Sequence, residues 1–258
     1  MVTYKHRKAV FVSCFILLVF IAVGISSKAY TDDSGKKIYE ERCLICHGVK
    51  GDGEGHVSTL PRCLMFSKLR TVKPRDLTTA TFKFRTTPTG CLPTDDDLIE
   101  IISKGIPKAY MPSNADLSSA EIMDLINYIK TFSSVWKENP NDSSCASIAV
   151  SMPAYTLTPE SAAKGQLLWE KMKCWECHGK EGKGDGPKSD QLKDDWGDAA
   201  MVLDFTSCAI KATFKPEKAY LAYTTGLNGS GMPSYADSLT EEERWNLVSY
   251  TLRLMGKL

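Results

Sequence analysis

The chain has 258 residues, with 43% hydrophobic and 24% charged side chains and a formal net charge of +1. This length suggests one or two domains, and the composition is typical of a globular protein. A charge so close to zero provides no bulk attraction to nucleic acid, so no nucleic-acid partner is expected.

The first segment, residues 1–29, predicts export. It contains four basic and no acidic side chains, and an uncharged run of 17 residues extends from Ala9 to Ile25. This run is short for a membrane anchor and long for a cleaved signal peptide, and both interpretations stay open. The basic flank argues against a buried core helix. It also keeps the N-terminus in the cytoplasm, so the rest of the chain is predicted to be membrane-anchored on the periplasmic side, or secreted to the periplasm after cleavage.

One short motif occurs twice after this segment, as Cys43-Leu44-Ile45-Cys46-His47 and Cys174-Trp175-Glu176-Cys177-His178. Two thiols at this spacing can add to the two vinyl groups of one haem, and the following histidine can bind its iron. A thioredoxin-like redox pair and half of a zinc site are the alternatives. Zinc would lack ligands, because only His6 and His56 remain as further histidines. The two copies therefore predict two covalently bound c-type haems.

The surroundings of the two motifs repeat as well. Gly35-x-x-Ile38-Tyr39 precedes the first motif and Gly165-x-x-Leu168-Trp169 the second, and a Gly-Asp-Gly follows each, at residues 51–53 and 184–186. Each copy closes with a capping box and an amphipathic segment, which predicts a helix after Ser118 and another after Thr240.

Three aspartates after Thr94 predict a further helix, and no run of alternating strands is present. We therefore expect an all-α chain with two tandem domains, residues 30–137 and 158–258, joined by a linker, residues 138–157.

A methionine recurs between the motif and the closing helix of each copy. Met111 and Met232 each begin a Met-Pro-Ser in a loop rich in glycine, proline and small residues. A methionine in such a loop is free of helical periodicity and can be directed at a cofactor, whereas one within a helical pattern is more often a core residue. Methionine on haem iron is typical of electron-carrying cytochromes. Weaker rivals for the same position are Met65, Met152, Met201 and His56.

Both halves resemble the class I cytochrome c domain. The resemblance rests on a helix with an aromatic residue before the motif, Cys-x-x-Cys-His-Gly, a Met-Pro loop and a closing helix, and it covers nearly everything from residue 33 onward. It implies a tandem-domain, dihaem cytochrome c behind an N-terminal apolar helix. It also implies haem attachment through Cys43, Cys46, Cys174 and Cys177, proximal iron ligation by His47 and His178, and distal ligation by Met111 and Met232.

The chain departs from the family pattern in a long first loop, residues 49–104, and in four further cysteines. These four allow three disulfide connectivities. Cys63 and Cys91 bracket the insertion, so we expect them to pair, and Cys145 and Cys208 could pair likewise. In an alternative, Cys63 is an axial thiolate, as in some sulfur-oxidising dihaem enzymes.

A basic stretch lies in the same loop and consists of Lys68, Arg70, Lys73, Arg75, Lys83 and Arg85. It could dock an acidic partner or pair with haem propionates. Residues 30–140 hold 15 basic and 15 acidic side chains, so we favour a solvated, balanced face.

Two six-coordinate irons cannot bind substrate but can pass electrons one at a time. We therefore expect an electron carrier rather than an enzyme. The preferred role is the cytochrome subunit of a membrane respiratory or redox-enzyme complex, with a membrane oxidoreductase and a soluble carrier as partners. A dihaem enzyme such as a peroxidase or thiosulfate-type dehydrogenase is the alternative, since one open or thiolate-ligated iron would suffice for it. A haem-based sensor or assembly factor is a third possibility.

Overall fold

The computed structural model describes residues 33–57, 60–61, 71–207 and 214–258, all within one compact unit. The predicted export segment, residues 1–29, lies outside this part. Among the described residues, no helix is both long and apolar enough to cross a membrane.

The first half contains five described helices and one short β pair. The elements are α1 (Asp33–Arg42), α2 (Leu44–His47), β1 (Leu60–Pro61), β2 (Thr71–Val72), α3 (Asp95–Lys104), a 3-10 turn (Pro107–Ala109), α4 (Ser119–Lys130) and α5 (Val135–Glu138). β1 and β2 pair antiparallel, with Leu60 opposite Val72.

The second half repeats the helical order of the first. A 3-10 turn (Ser143–Cys145) leads into α6 (Pro159–Lys171), α7 (Trp175–His178), α8 (Pro216–Thr225) and α9 (Glu241–Leu254). Apart from the two-residue strands, the described elements are helical, so the predicted all-α class is confirmed.

The predicted helix starts are present with their capping side chains. The side chains of Thr94, Ser118 and Thr240 each accept a hydrogen bond from the backbone N–H three residues later. The carboxylate of that later residue in turn accepts a hydrogen bond from the backbone N–H of the cap residue. Capping boxes of this kind satisfy N–H groups that the first helical turn cannot. They fix where α3, α4 and α9 begin, and hence where the loops between helices end.

The first and last helices of each half cross at a glycine. Gly35 of α1 approaches the backbone of Asp124 in α4, and Gly165 of α6 approaches that of Asn246 in α9, so closely that a Cβ at either glycine would overlap a carbonyl. The two crossings close two separate apolar cores. One surrounds Leu125 and the other surrounds fully buried Trp245. The repeated glycine before each motif therefore permits the helix crossing.

The predicted disulfide pairing of Cys63 with Cys91 is wrong. Cys91 is bonded to Cys145, with Cα atoms 5.6 Å apart, which also excludes Cys145 as a partner of Cys208. Cys63 and Cys208 lie outside the described residues. The bond joins the first-half loop to the segment between the halves.

That segment, predicted as a linker, packs on the first half. Asn141 exchanges two hydrogen bonds with the backbone of Leu92, at 2.9 and 2.8 Å, and Ile148 N donates to Thr86 O at 2.8 Å. Lack of periodicity in the sequence could not reveal these contacts.

Two described members of the basic stretch, Lys73 and Arg85, contact the second half, contrary to the solvated face that we favoured. Lys73 pairs with Glu54 of its own half at 2.6 Å and also reaches Asp198 at 3.8 Å. Arg85 is only 4% exposed, and its Nη2 donates to Thr225 O at 2.8 Å. The stretch therefore contacts the loop that contains Asp198 and the C-terminal end of α8, both in the second half of the chain.

A surface ion pair also connects the two halves, at what we call the joint between them. Lys218 of α8 pairs with Glu100 of α3. The hydrogen bond from Lys218 holds the pKa of the Glu100 carboxyl below its usual value, with a smaller contribution from Lys104.

Candidate haem-binding sites

Each Cys-x-x-Cys-His motif forms one helical turn. His47 N donates to Cys43 O at 2.8 Å, and His178 N donates to Cys174 O at 2.9 Å. The first cysteine and the histidine of each motif therefore lie one turn apart on the same short helix. This arrangement brings two thiols and one imidazole to the same face of one helical turn.

The four motif cysteines are free thiols, whereas Cys91 and Cys145 are bonded. Burial raises the pKa of Cys43 to about 11 and that of Cys174 to about 12. A thiol with such a pKa is neutral at pH 7 and is a poor nucleophile. The environment does not favour a thioredoxin-like reactive cysteine.

Backbone carbonyls face both motif histidines. His47 Nδ1 lies 3.0 Å from Arg75 O, which leaves Nε2 for a metal. Burial lowers the pKa of His47 despite this bond. Burial lowers the pKa of His178 to about 4, and the Leu203 backbone opposes this shift. Both imidazoles are therefore neutral at pH 7, which is the metal-binding form.

His178 is held by aromatic rings. It stacks on Phe205, with centroids 5.0 Å apart and planes at 20°, and Trp169 lies 5.6 Å away. Its buried Nδ1 makes no hydrogen bond of good geometry, and the nearby Leu203 backbone is the polar group that acts on it. The aromatic rings therefore contribute most to holding this imidazole in place.

The loop after each motif folds back through glycine N–H groups, but the predicted equivalence of the two Gly-Asp-Gly sequences is wrong. Gly53 N donates to His47 O at 2.9 Å, and Gly184 N donates to His178 O at 2.8 Å. These glycines are equivalent, so Gly51-x-Gly53-x-Gly55 corresponds to Gly182-x-Gly184-x-Gly186. The aspartates lie at different distances from the motif along the chain, yet the carboxylates of Asp52 and Asp185 both lie beside the glycine that follows the motif histidine.

The two methionine loops have the same backbone. Ile106 N donates to Met111 O at 2.9 Å, and Leu227 N donates to Met232 O at 3.0 Å. The glycine that opens each loop, Gly105 or Gly226, has a φ of 65°, a conformation that side chains rarely adopt. The loop shape is therefore encoded by the same residue type in both halves.

The serine of each Met-Pro-Ser has a role that we did not predict. Ser113 Oγ donates to Ser103 O at 2.6 Å, and Ser234 Oγ donates to Thr224 O at 2.7 Å. These bonds tie the methionine loops to the ends of α3 and α8. The repeat of the whole tripeptide was the signal for this role.

The structure brings each methionine to the core of its own motif. Cys43 and Met111 both pack against the first core, and Met232 packs against the second core, which includes Cys174. The rivals are placed less well, because Met152 and Met201 are exposed by 41% and 38% and His56 is exposed. Met65 lies outside the described residues.

Comparison with known proteins adds the family. The cytochrome c family model matches residues 33–133 and 162–254. The chain belongs to the cytochrome c family. Membership indicates covalently bound haem c and haem-based electron transfer. No curated protein matches the chain in sequence.

A solved structure is similar over most of the chain. It is a chain of a reducing HAO-like protein complex from Kuenenia stuttgartiensis, with 37% identity and a TM-score of 0.76. The similarity covers 86% of the present chain and 96% of the other.

The residues fit a haem of the type that the family binds. Each half offers a pair of unbonded thiols, a neutral imidazole and a thioether packed on one core. Within the described residues, no group of three or more His, Cys, Asp or Glu side chains could hold a metal ion without such a cofactor.

Proposed function

We propose that the chain transfers electrons through two covalently attached haems, as the cytochrome subunit of a redox-enzyme complex. The observation that carries this proposal is the duplication of one complete donor set. Two thiols, one neutral imidazole and one methionine loop are assembled in the same way in each half.

In this proposal Cys43, Cys46, Cys174 and Cys177 attach the two haems, His47 and His178 bind the iron proximally, and Met111 and Met232 bind it distally. A bound haem would supply an iron that alternates between ferric and ferrous. The apolar side chains around each motif would limit the access of water to it, and the backbone carbonyl of Arg75 orients His47. If these residues hold the iron as proposed, they would leave no position on it for a substrate.

The subunit role is supported by the similar Kuenenia chain, which belongs to a protein complex by its description. By this likeness we propose that the partner is an HAO-like redox protein, which would exchange electrons with one of the two haems. A second partner, a soluble carrier or a membrane oxidoreductase, would exchange them with the other. We also propose domains at residues 30–137 and 158–258, in a periplasmic protein that the segment 1–29 exports or anchors.

A spectroelectrochemical titration of the full-length holoprotein, with and without carbon monoxide, tests the carrier proposal. We expect two one-electron steps and ferrous spectra that carbon monoxide does not alter. Prompt binding of carbon monoxide to either ferrous haem would contradict a simple carrier. It would favour the alternative, a dihaem enzyme with one open iron.

Localisation requires a separate measurement. Fractionation of cells that produce the full chain should place haem-stained protein in the periplasm or on the periplasmic face of the membrane. Recovery of the haem protein from the cytoplasm would contradict the proposed export.

A further inference from the structure

One residue at the joint between the halves contacts both candidate sites. Arg75 belongs to the first half, and its carbonyl lies 3.0 Å from His47 Nδ1. Its guanidinium Cζ lies 4.2 Å from the centre of the Trp196 ring in the second half. Burial lowers the pKa of Arg75, and Asp194 is the strongest of the carboxylates that oppose this shift. An arginine in such surroundings remains charged.

Trp196 in turn contacts the loop that leads to Met232. A Cβ at Gly229 would overlap the Trp196 ring and would lie 3.3 Å from Arg75 Nη1. The backbone N–H of Asp195 also donates to Gly229 O at 3.3 Å. The guanidinium, the indole ring and the methionine loop therefore form one continuous packed layer.

The repeated fold alone does not require this arginine. The residue equivalent to Arg75 in the second half is Leu203, whose backbone faces His178. Both positions present a backbone group to a histidine, but only the first has a side chain that crosses to the other half. The cation is therefore specific to the joint.

We propose that Arg75 is a positioning residue shared by the two haem sites. Its carbonyl orients His47, and its guanidinium, stacked on Trp196, fixes the loop that carries Met232. This inference rests on the proposed His/Met ligation. A cation beside a redox centre stabilises the reduced form, which has one positive charge fewer. Arg75 therefore raises the reduction potentials of both haems.

The charge is tested by two neutral substitutions in the full-length holoprotein, Arg75→Gln and Lys73→Gln. Lys73 is a matched control, since it lies two residues away and is likewise a cation near acidic side chains, pairing with Glu54 at 2.6 Å and reaching Asp198 at 3.8 Å. Its side chain is 39% exposed, so water screens its charge. For Arg75→Gln we expect the reduced-to-oxidised ratio of both haems at a fixed potential to fall at least about threefold. For Lys73→Gln we expect a smaller change at either haem.

The positioning role is tested by two variants that keep the positive charge, Arg75→Lys and Trp196→Leu. Lysine lacks the planar group that stacks on an aromatic ring, and leucine removes the ring itself. The readout is the proton NMR signal of the axial methionine methyl groups in the reduced protein. We expect Trp196→Leu and Arg75→Gln to shift the Met232 signal. Compared with Arg75→Gln, Arg75→Lys should restore most of the reduction potential of each haem.

Several results would overturn the inference. Unchanged potentials in Arg75→Gln would do so, as would a change confined to one haem or a change that Lys73→Gln reproduces in full. An unshifted Met232 signal in Trp196→Leu would exclude the positioning role. If Arg75→Gln does not fold, Arg75→Lys and Trp196→Leu still decide the question. Failure of the proposed function is recognised separately, because the unsubstituted protein would then lack axial methionine signals or bind carbon monoxide.

Discussion

The crossing of α6 and α9 allows a prediction whose sign opposes the usual rule. Replacing glycine by alanine inside a helix normally stabilises a protein by about 1 kcal/mol, because alanine has the higher helix propensity. Gly165 lies within α6, but a Cβ there would overlap the carbonyl oxygen of Asn246 and would come within 2.8 Å of Tyr250 Cβ. The two helices would have to separate.

Overpacking of this kind typically costs about 1–3 kcal/mol, and here both obstructing groups are on the facing helix rather than at the end of a flexible side chain. We therefore expect Gly165→Ala to lower the free energy of unfolding by up to roughly 2 kcal/mol after the gain in helix propensity is subtracted. The assay is denaturant unfolding of the holoprotein, followed by helical circular dichroism and by the Soret band.

Gln166→Ala is the matched control, since Gln166 is the next residue of α6 and is exposed. We expect it to change the free energy of unfolding by no more than about 0.5 kcal/mol. If Gly165→Ala stabilises the protein as an ordinary helical substitution does, the helices do not approach as closely as described.

Three further predictions concern the ligands, the joint and the disulfide. Met111→Ala and Met232→Ala should each lower the potential of one haem and open that haem to carbon monoxide, which absorbance titration detects. Because the folded pKa of Glu100 is depressed, its pair stabilises the fold above the unfolded pKa of about 4.3, and this contribution is lost as pH falls through the folded value. Glu100→Gln should therefore reduce the pH dependence of the free energy of unfolding below about pH 5. The change should be no more than about 1 kcal/mol, because the pair is partly exposed. Removing the disulfide with Cys145→Ser should lower the free energy of unfolding by roughly 2–4 kcal/mol, since its cysteines are 54 residues apart and loop closure restricts the unfolded chain.

Each of these has a result that would contradict it. Unchanged spectra and potentials in a methionine variant would reject that axial assignment. An identical pH profile in Glu100→Gln would mean that the ion pair does not contribute to folding. For the disulfide, Asn141→Ala removes the neighbouring hydrogen bonds without opening the loop, so a loss equal to that of Cys145→Ser would assign the effect to packing.

The parts of the molecule that the sequence predicted are those that local chemistry determines. The capping boxes at Ser118 and Thr240 identify helix starts because the pairing of cap and acid lies within four residues. The Cys-x-x-Cys-His spacing is likewise a property of one helical turn. Gly105 and Gly226 open loops whose shape depends on one backbone conformation.

The errors arose where the partner is distant in sequence. Cys91 could pair with any of three cysteines, and only the folded chain selects Cys145. The two Gly-Asp-Gly sequences contain the same residues, so they looked equivalent. The hydrogen bonds to His47 O and His178 O instead come from glycines at equal distances from the motif, Gly53 and Gly184. Equal numbers of basic and acidic residues made the basic stretch look like a solvated face. A count of charges does not show which surface a distant acidic loop contacts.

Comparison of the two halves separates the chemistry of each site from the connection between the sites. Positions that repeat, such as the motif histidines and the Met-Pro-Ser serines, build one redox centre twice. Positions where the copies differ include those that make the joint, such as Arg75, whose equivalent in the second half is Leu203. A duplication without such contacts would leave two independent centres. The chain instead places a partly buried arginine and an aromatic ring between the halves, a contact that a carrier with one haem would not need. The residues that differ between the copies are therefore where the coupling of the two haems should be sought.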